Sequence, residues 1–168
     1  MGTTFEDLKI LQDAENIADD IWNQVNQWKP FAREVVGKQL ARAADSIGAN
    51  IAEAFGRFHY GEKLNFLYYA RGSLFETKYW LNRALKRQLL TGEQQQTYAN
   101  HLATLARQLN AFANGLKAQR KATPQPSYSI RETATEYVAD HTFIDDNPVP
   151  LFDINDFKWL ESLDSVDD

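Results

Sequence analysis

With 168 residues, no cysteine, a mean hydropathy of −0.52 and a net charge of −5, the chain has room for one well-buried core but not for two large domains, and disulfides and thiolate metal sites are excluded. No apolar run approaches the roughly 20 residues of a membrane helix, and the acids within the first apolar repeat do not fit a secretory leader. A soluble, cytoplasmic protein without membrane contact is expected.

The first helix is expected to begin after Thr3, which stands at capping-box spacing from Glu6. Leu8, Leu11, Ala14, Ile17, Ile21, Val25 and Trp28 then recur at steps of three and four until Pro30 ends it. The second helix is read from about Arg33 to Phe58, with Val36, Leu40, Ala43, Ile47 and Ile51 inward. The third, from about Gly61 to Leu89, has Leu67, Leu74, Leu81 and Leu85 along one stripe. Thr91 and Gln94 form a second capping-box pair. The fourth helix then buries Tyr98, Leu102, Leu105, Leu109, Phe112 and Leu116 until about Arg120. Short connections predict an all-α, up-down-up-down antiparallel four-helix bundle over residues 1–121.

Helices 2 and 3 carry more than core positions. Asn50, Glu53 and Arg57 flank the second helix's apolar stripe, and Arg71, Ser73 and Glu76 answer from the third. One reading makes these six a structural polar network that sets register or subunit contact. The other makes Arg57 and Arg71 ligands for an anion or nucleic acid. Tyr68, Phe75 and Tyr79 form a second stripe about 100° around the third helix, beside Gly72. They either spread over the bundle's shoulder or meet a neighbouring subunit as an oligomer interface.

The run Ser46-Ile47-Gly48-Ala49-Asn50-Ile51-Ala52-Glu53-Ala54, followed by Ala70-Arg71-Gly72-Ser73 and Glu76, resembles a family of bacterial four-helix-bundle proteins. That family was first noted in intervening sequences of 23S ribosomal RNA, and it includes the accessory variability determinant of diversity-generating retroelements. The family pattern has proline where Gly48 stands and glycine where Ala54 stands, which implies a softer kink here. The resemblance runs from about Phe5 to Lys121 and not beyond. It implies a homo-oligomer, pentameric as in the accessory variability determinant, and a reverse transcriptase as a protein partner.

Charge is segregated along the chain. Residues 1–121 hold 16 basic and 12 acidic side chains, whereas 122–168 hold 2 and 11. From Lys29 to Lys121 the count is 15 basic against 6 acidic. Arg33, Lys38 and Arg42 lie on helix 2, Arg83, Lys86 and Arg87 at the end of helix 3, and Arg107, Lys117, Arg120 and Lys121 along helix 4. These ten are the candidate nucleic-acid-binding residues, since repetition around an oligomer would make a multivalent phosphate-binding surface. Each cluster by itself could equally be a solvated helix face.

Beyond Lys121 the run Thr123-Pro124-Gln125-Pro126-Ser127 reads as a linker into an acidic, aromatic extension, residues 122–168. A short helix is expected near 153–163, with Asp153 or Asn155 as its cap. Phe143, Phe152, Phe157, Trp159 and Leu160 are the candidate docking residues, for a partner protein or for the chain's own bundle.

No phosphate loop, dinucleotide fingerprint, nucleophile elbow or zinc-helix motif occurs. His59, His101 and His141 lack ligand spacing, and Glu53 and Glu76 lack the Glu-x-x-His motif of di-metal bundles. Neither metal, cofactor nor catalytic residue is expected. The leading expectation is therefore a non-enzymatic, oligomeric accessory protein that presents basic surface to RNA or an RNA–DNA hybrid. The alternative is an adaptor whose acidic aromatic tail docks on a partner or covers the basic bundle.

Overall fold

The computed structural model describes residues 8–122 and 150–162, which form five helices and, among the described residues, no strand. Helix α1 (Lys9–Asn26) buries Leu11, Ala14, Ile17, Ile21 and Val25, the stripe expected from their spacing. The Thr3–Glu6 pair lies outside the described residues. Helix α2 is continuous through three pieces, Pro30–Ala32, a π-helical turn Arg33–Gly37 and Lys38–Gly56. Pro30 thus opens the second helix rather than merely closing the first. At the first helical position its missing N–H costs nothing and its fixed φ suits the helix.

The π-turn packs on α1, where α2 approaches closely. A Cβ on Gly37 would fall 2.4 Å from Val25 Cγ1. Further along, Gly48 sits against Ala14 and Leu11, so residue numbers rise on one helix as they fall on the other. Helix α3 (Tyr60–Lys86) buries Leu67, Leu74, Leu81 and Leu85. It ends in a Schellman turn, with Leu89 N–H donating to Ala84 C=O and Gln88 N–H to Leu85 C=O, both at 2.9 Å. The left-handed residue of that turn is Gln88, at φ 57°.

Helix α4 (Gly92–Ala122) starts with the expected reciprocal cap: Thr91 N–H donates to Gln94 Oε1 at 2.9 Å, and Gln94 N–H to Thr91 Oγ1 at 3.2 Å. Each of α1 to α4 packs on the next, and α4 also packs on α1. Gln94 donates to Gln24 at 3.1 Å, the Tyr98 hydroxyl to the Asp20 carbonyl at 3.3 Å, and Gln108 to Asp13 at 2.6 Å. This order again runs in opposite directions on the two helices.

Helix α5 (Ile154–Glu161) is the short helix expected in the extension, and Asp153 is its cap. Its side chain accepts from Asn155 N–H at 2.8 Å and Asp156 N–H at 2.9 Å, while Asp156 accepts from Asp153 N–H at 2.9 Å. Eight residues are too few for a stable free helix. Packing on α4 holds it, together with contacts to α3.

Candidate nucleic-acid surface

The packing of the helices on one another decides which basic side chains share a neighbourhood. Arg33, Lys38 and Arg42 occupy the first half of α2, and Arg83, Lys86 and Arg87 the end of α3; the π-turn that carries Arg33 packs on α3 as well as α1. Arg33, Arg42, Lys86 and Arg87 are exposed, Arg83 is half-buried, and Lys38 is exposed with Glu34 at 3.3 Å. Lys117, Arg120 and Lys121 stand at the far end of α4, about 15 to 21 Å beyond Arg107 at helical rise. On one chain the ten candidates therefore form separated clusters rather than a single patch.

The acids are arranged just as unevenly. Four of them, Asp13, Glu15, Asp19 and Asp20, lie on α1. A groove of about 580 Å³ between α1 and α2 is lined by Glu15, Asp19 and Asp45 beside Ala14, Ala18, Gly48 and Ala49. A second, of about 250 Å³ between α1 and α4, is lined by Asp13, Asn16, Asp20, His101 and Thr104. Partial burial pushes the Asp45 carboxyl up, and the nearby Asp19 charge adds to the shift. Hydrogen bonds from Gln108 and Lys9 hold Asp13 below the usual carboxylate range. The Tyr98 hydroxyl is raised by burial and by Asp20. The acids of α1 make its exposed face locally negative, in contrast to the basic excess of the segment that follows.

The six polar residues of α2 and α3 do not meet as one network. Asn50 donates to the Ser46 carbonyl at 2.8 Å and to Ser73 Oγ at 3.4 Å. Arg57 pairs with Glu53 at 2.9 Å one turn away, on an exposed face, and lies over the Phe66 ring at 4.7 Å. Arg71 points elsewhere, to Asp156 of the extension at 3.0 Å, and Glu76 is exposed. The helix spacing put these groups on neighbouring faces, but side-chain reach and the docked tail divided them.

The aromatic stripe of α3 is divided in the same way. Phe75 is covered by the chain's own extension: Phe152 stacks on it at 5.8 Å and 9°, and Trp159 at 5.1 Å and 15°. Tyr68 and Tyr79 stay exposed, and Tyr79 meets Trp80 edge-on at 5.1 Å. Within the chain, Phe75 is therefore a docking position for residues 150–162.

The tail residues follow from that contact. Phe152 and Leu160 are buried on the helices, with Phe152 only 1% exposed, and Phe157 and Trp159 are half-buried. Phe143 lies outside the described residues. In this structure these side chains are engaged by their own chain rather than free for another protein. Asn110 fixes the segment's backbone by donating to the Phe152 carbonyl at 2.9 Å and accepting from its N–H at 2.7 Å. Arg107 pairs with Glu161 and lies over the Phe157 ring at 5.2 Å.

Sequence reasoning did not single out Lys78 or Asn110. Lys78 is 0% exposed, and its ammonium donates to the Ser162 carbonyl at 2.6 Å, where a cation favours the end of α5. A lysine between two apolar stripes reads as solvated until a second element covers it. The buried Gln95–Asn82 hydrogen bond, 2.8 Å, was equally hidden between periodic positions. Among the described residues no three His, Asp or Glu side chains converge to hold a metal ion, and no helix is long and apolar enough to cross a membrane.

Among the described residues these features define an all-α protein of mutually packed helices, with four acids against one lysine on α1 and an excess of basic over acidic residues from Lys29 to Lys121. The chain belongs to the 23S rRNA-intervening sequence protein family, whose model matches residues 6–111. Among the curated proteins no match to the chain is found. The family match ends within α4, so it includes Arg71, Phe75, Lys78, Arg107 and Asn110 and stops short of α5.

Proposed function

We propose that the chain is a non-enzymatic, oligomeric accessory protein of the cytoplasm that binds RNA or an RNA–DNA hybrid through basic faces of α2, α3 and α4. The observation that carries this reading is the excess of 15 basic over 6 acidic residues between Lys29 and Lys121, on the helices that follow acidic α1. Membership of a family named for an rRNA intervening sequence is compatible with it. We read α1 to α4 as an up-down-up-down antiparallel four-helix bundle over residues 1–121, supported by the short connections and by the opposed order of contacts between α1 and both α2 and α4. Residues 122–168 form its acidic extension. Pentameric assembly and a reverse transcriptase partner rest on the resemblance to the accessory variability determinant, and the exposed Tyr68 and Tyr79 supply apolar area for a subunit contact.

The test is salt-dependent binding of a structured RNA. Affinity should fall steeply between 50 and 200 mM salt, and replacing Arg83, Lys86 and Arg87 by Gln should reduce the slope of log K against log salt by about 2 to 3. Binding that ignores salt would refute the reading. The docking of residues 150–162 favours a second reading, in which the tail serves the bundle by covering part of its cationic surface.

A further inference from the structure

The docked segment is chemically unusual in what it offers its own bundle. From α3, Arg71, Phe75 and Lys78 project to one side at steps of four and three; from α4, Arg107 and Asn110 face them. The three cations receive two carboxylates and a carbonyl, from Asp156, Glu161 and Ser162. Phe75 receives flat aromatic rings in near-parallel stacking, and the Arg71 guanidinium lies 4.6 Å from the Phe75 ring and 5.5 Å from that of Phe152. Asn110 engages an adjacent acceptor and donor with its amide. Arg71 Nε is buried and finds no hydrogen-bond partner among the described residues.

Anionic groups in series, stacked rings and a donor–acceptor edge held by an asparagine amide are also what a single nucleic-acid strand presents, as phosphates, bases and base edges. We propose that the α3/α4 face formed by Arg71, Phe75, Lys78, Arg107 and Asn110 is a binding site for single-stranded RNA, and that residues 150–162 occupy it as a mimic of the strand. The site rests on the nucleic-acid reading above and gives it a location. It lies wholly within the family-matched part of the chain, whereas its present occupant lies outside. The occupant is also loosely constrained by chain length. Asn110 stands about 18 Å from the end of α4 along the helix, while the 27 residues from 123 to 149 can span about 90 Å when extended. An incoming strand can displace the segment without unfolding α4.

The experiment uses the full chain and a fluorescent 12-nucleotide single-stranded RNA at 50 mM salt, read by anisotropy. Phe152→Ser/Leu160→Ser removes two buried anchors without changing net charge, and it should tighten binding about tenfold or more. Adding Asn110→Ala and Arg71→Gln should abolish that gain, with circular dichroism reporting that the helices persist. Should the anchor variant fail to fold, Asp156→Asn/Glu161→Gln weakens docking with the anchors kept. It should bind several-fold tighter than the charge-matched Glu15→Gln/Glu62→Gln. The proposal is overturned if neither undocking pair tightens binding beyond its control, or if the gain survives loss of Asn110 and Arg71. It is also overturned if the undocked chain builds larger assemblies through residues 150–162 of a second copy, which would make the occupant a protein. Absence of RNA binding by every form, parent included, would instead refute the nucleic-acid reading itself.

Discussion

Phe152→Ala should release α5 while leaving the other helices folded. Phe152 is 1% exposed, its ring stacks on Phe75, and both of its backbone polar groups are bonded to Asn110. Truncating a ring so enclosed costs about 3–5 kcal/mol when the site cannot collapse. The ion pairs are smaller contributors. Arg71–Asp156 has side chains 35% and 19% exposed and Arg107–Glu161 57% and 45%, so each is worth about 1 kcal/mol or less after solvent screening. An eight-residue helix cannot persist once undocked. Hydrogen exchange read by mass spectrometry should therefore show the amides of 157–161 losing about 10²- to 10⁴-fold protection, or reaching the free-chain rate, while the cores of α1 and α2 keep theirs. Asp156→Asn should lose tenfold or less. Retained protection in α5, or an equal loss in α1 and α2, would refute the account of a local, anchor-driven docking.

Gly37→Ala should destabilise the protein by about 1–2 kcal/mol in urea unfolding, because overpacking against Val25 outweighs the gain in helix propensity. Gly72→Ala, with nothing within 4 Å of the new methyl, should instead stabilise the chain by about 0.5–1 kcal/mol. Gln88→Gly should raise the melting temperature, since it removes a side chain from a left-handed position worth about 1 kcal/mol of strain. Asp13 is held below its ordinary value of 3.8, so its contribution is full above that pH and lost as pH falls through the lower folded value. Asp13→Asn should be less stable than the parent at pH 7, with the gap closing in acid denaturation curves. Asp45 has the opposite sign: its raised folded value makes stability fall as pH climbs above 3.8, so Asp45→Asn should gain stability at pH 7 and none at pH 3.

The helices and their inward faces were legible because their signals are local. Leu67, Leu74 and Leu81 are buried where period 3.6 places them, and the Thr91–Gln94 and Asp153 caps depend on residues only two or three positions apart. Pro30 was half legible, since a proline between two apolar repeats marks a boundary without saying which side it belongs to. Of the polar residues of α2 and α3, Glu53 pairs with Arg57 and Asn50 meets Ser73 within the expected set, whereas Arg71 finds its carboxylate outside it. Arg71 meets Asp156 across 85 positions, and nothing in the spacing of either residue encodes that distance. Phe75 was recognised as an apolar position needing cover, but period alone could not distinguish another subunit from the chain's own extension.

The amino-acid order by itself determined a basic helical body behind an acidic first helix, an acidic aromatic extension, and membership of a family whose motifs lie in α2 and α3. Periodicity, capping and charge counts are properties of neighbours in sequence, and they survive without any knowledge of packing. Only the tertiary structure decided that residues 150–162 return to the α3/α4 face. There they cover Lys78, which is buried, stack on the half-buried Phe75, and draw Arg71 and Arg107 into ion pairs. That outcome depends on the complementarity of two surfaces far apart in the chain, a property that comes into being when the helices pack.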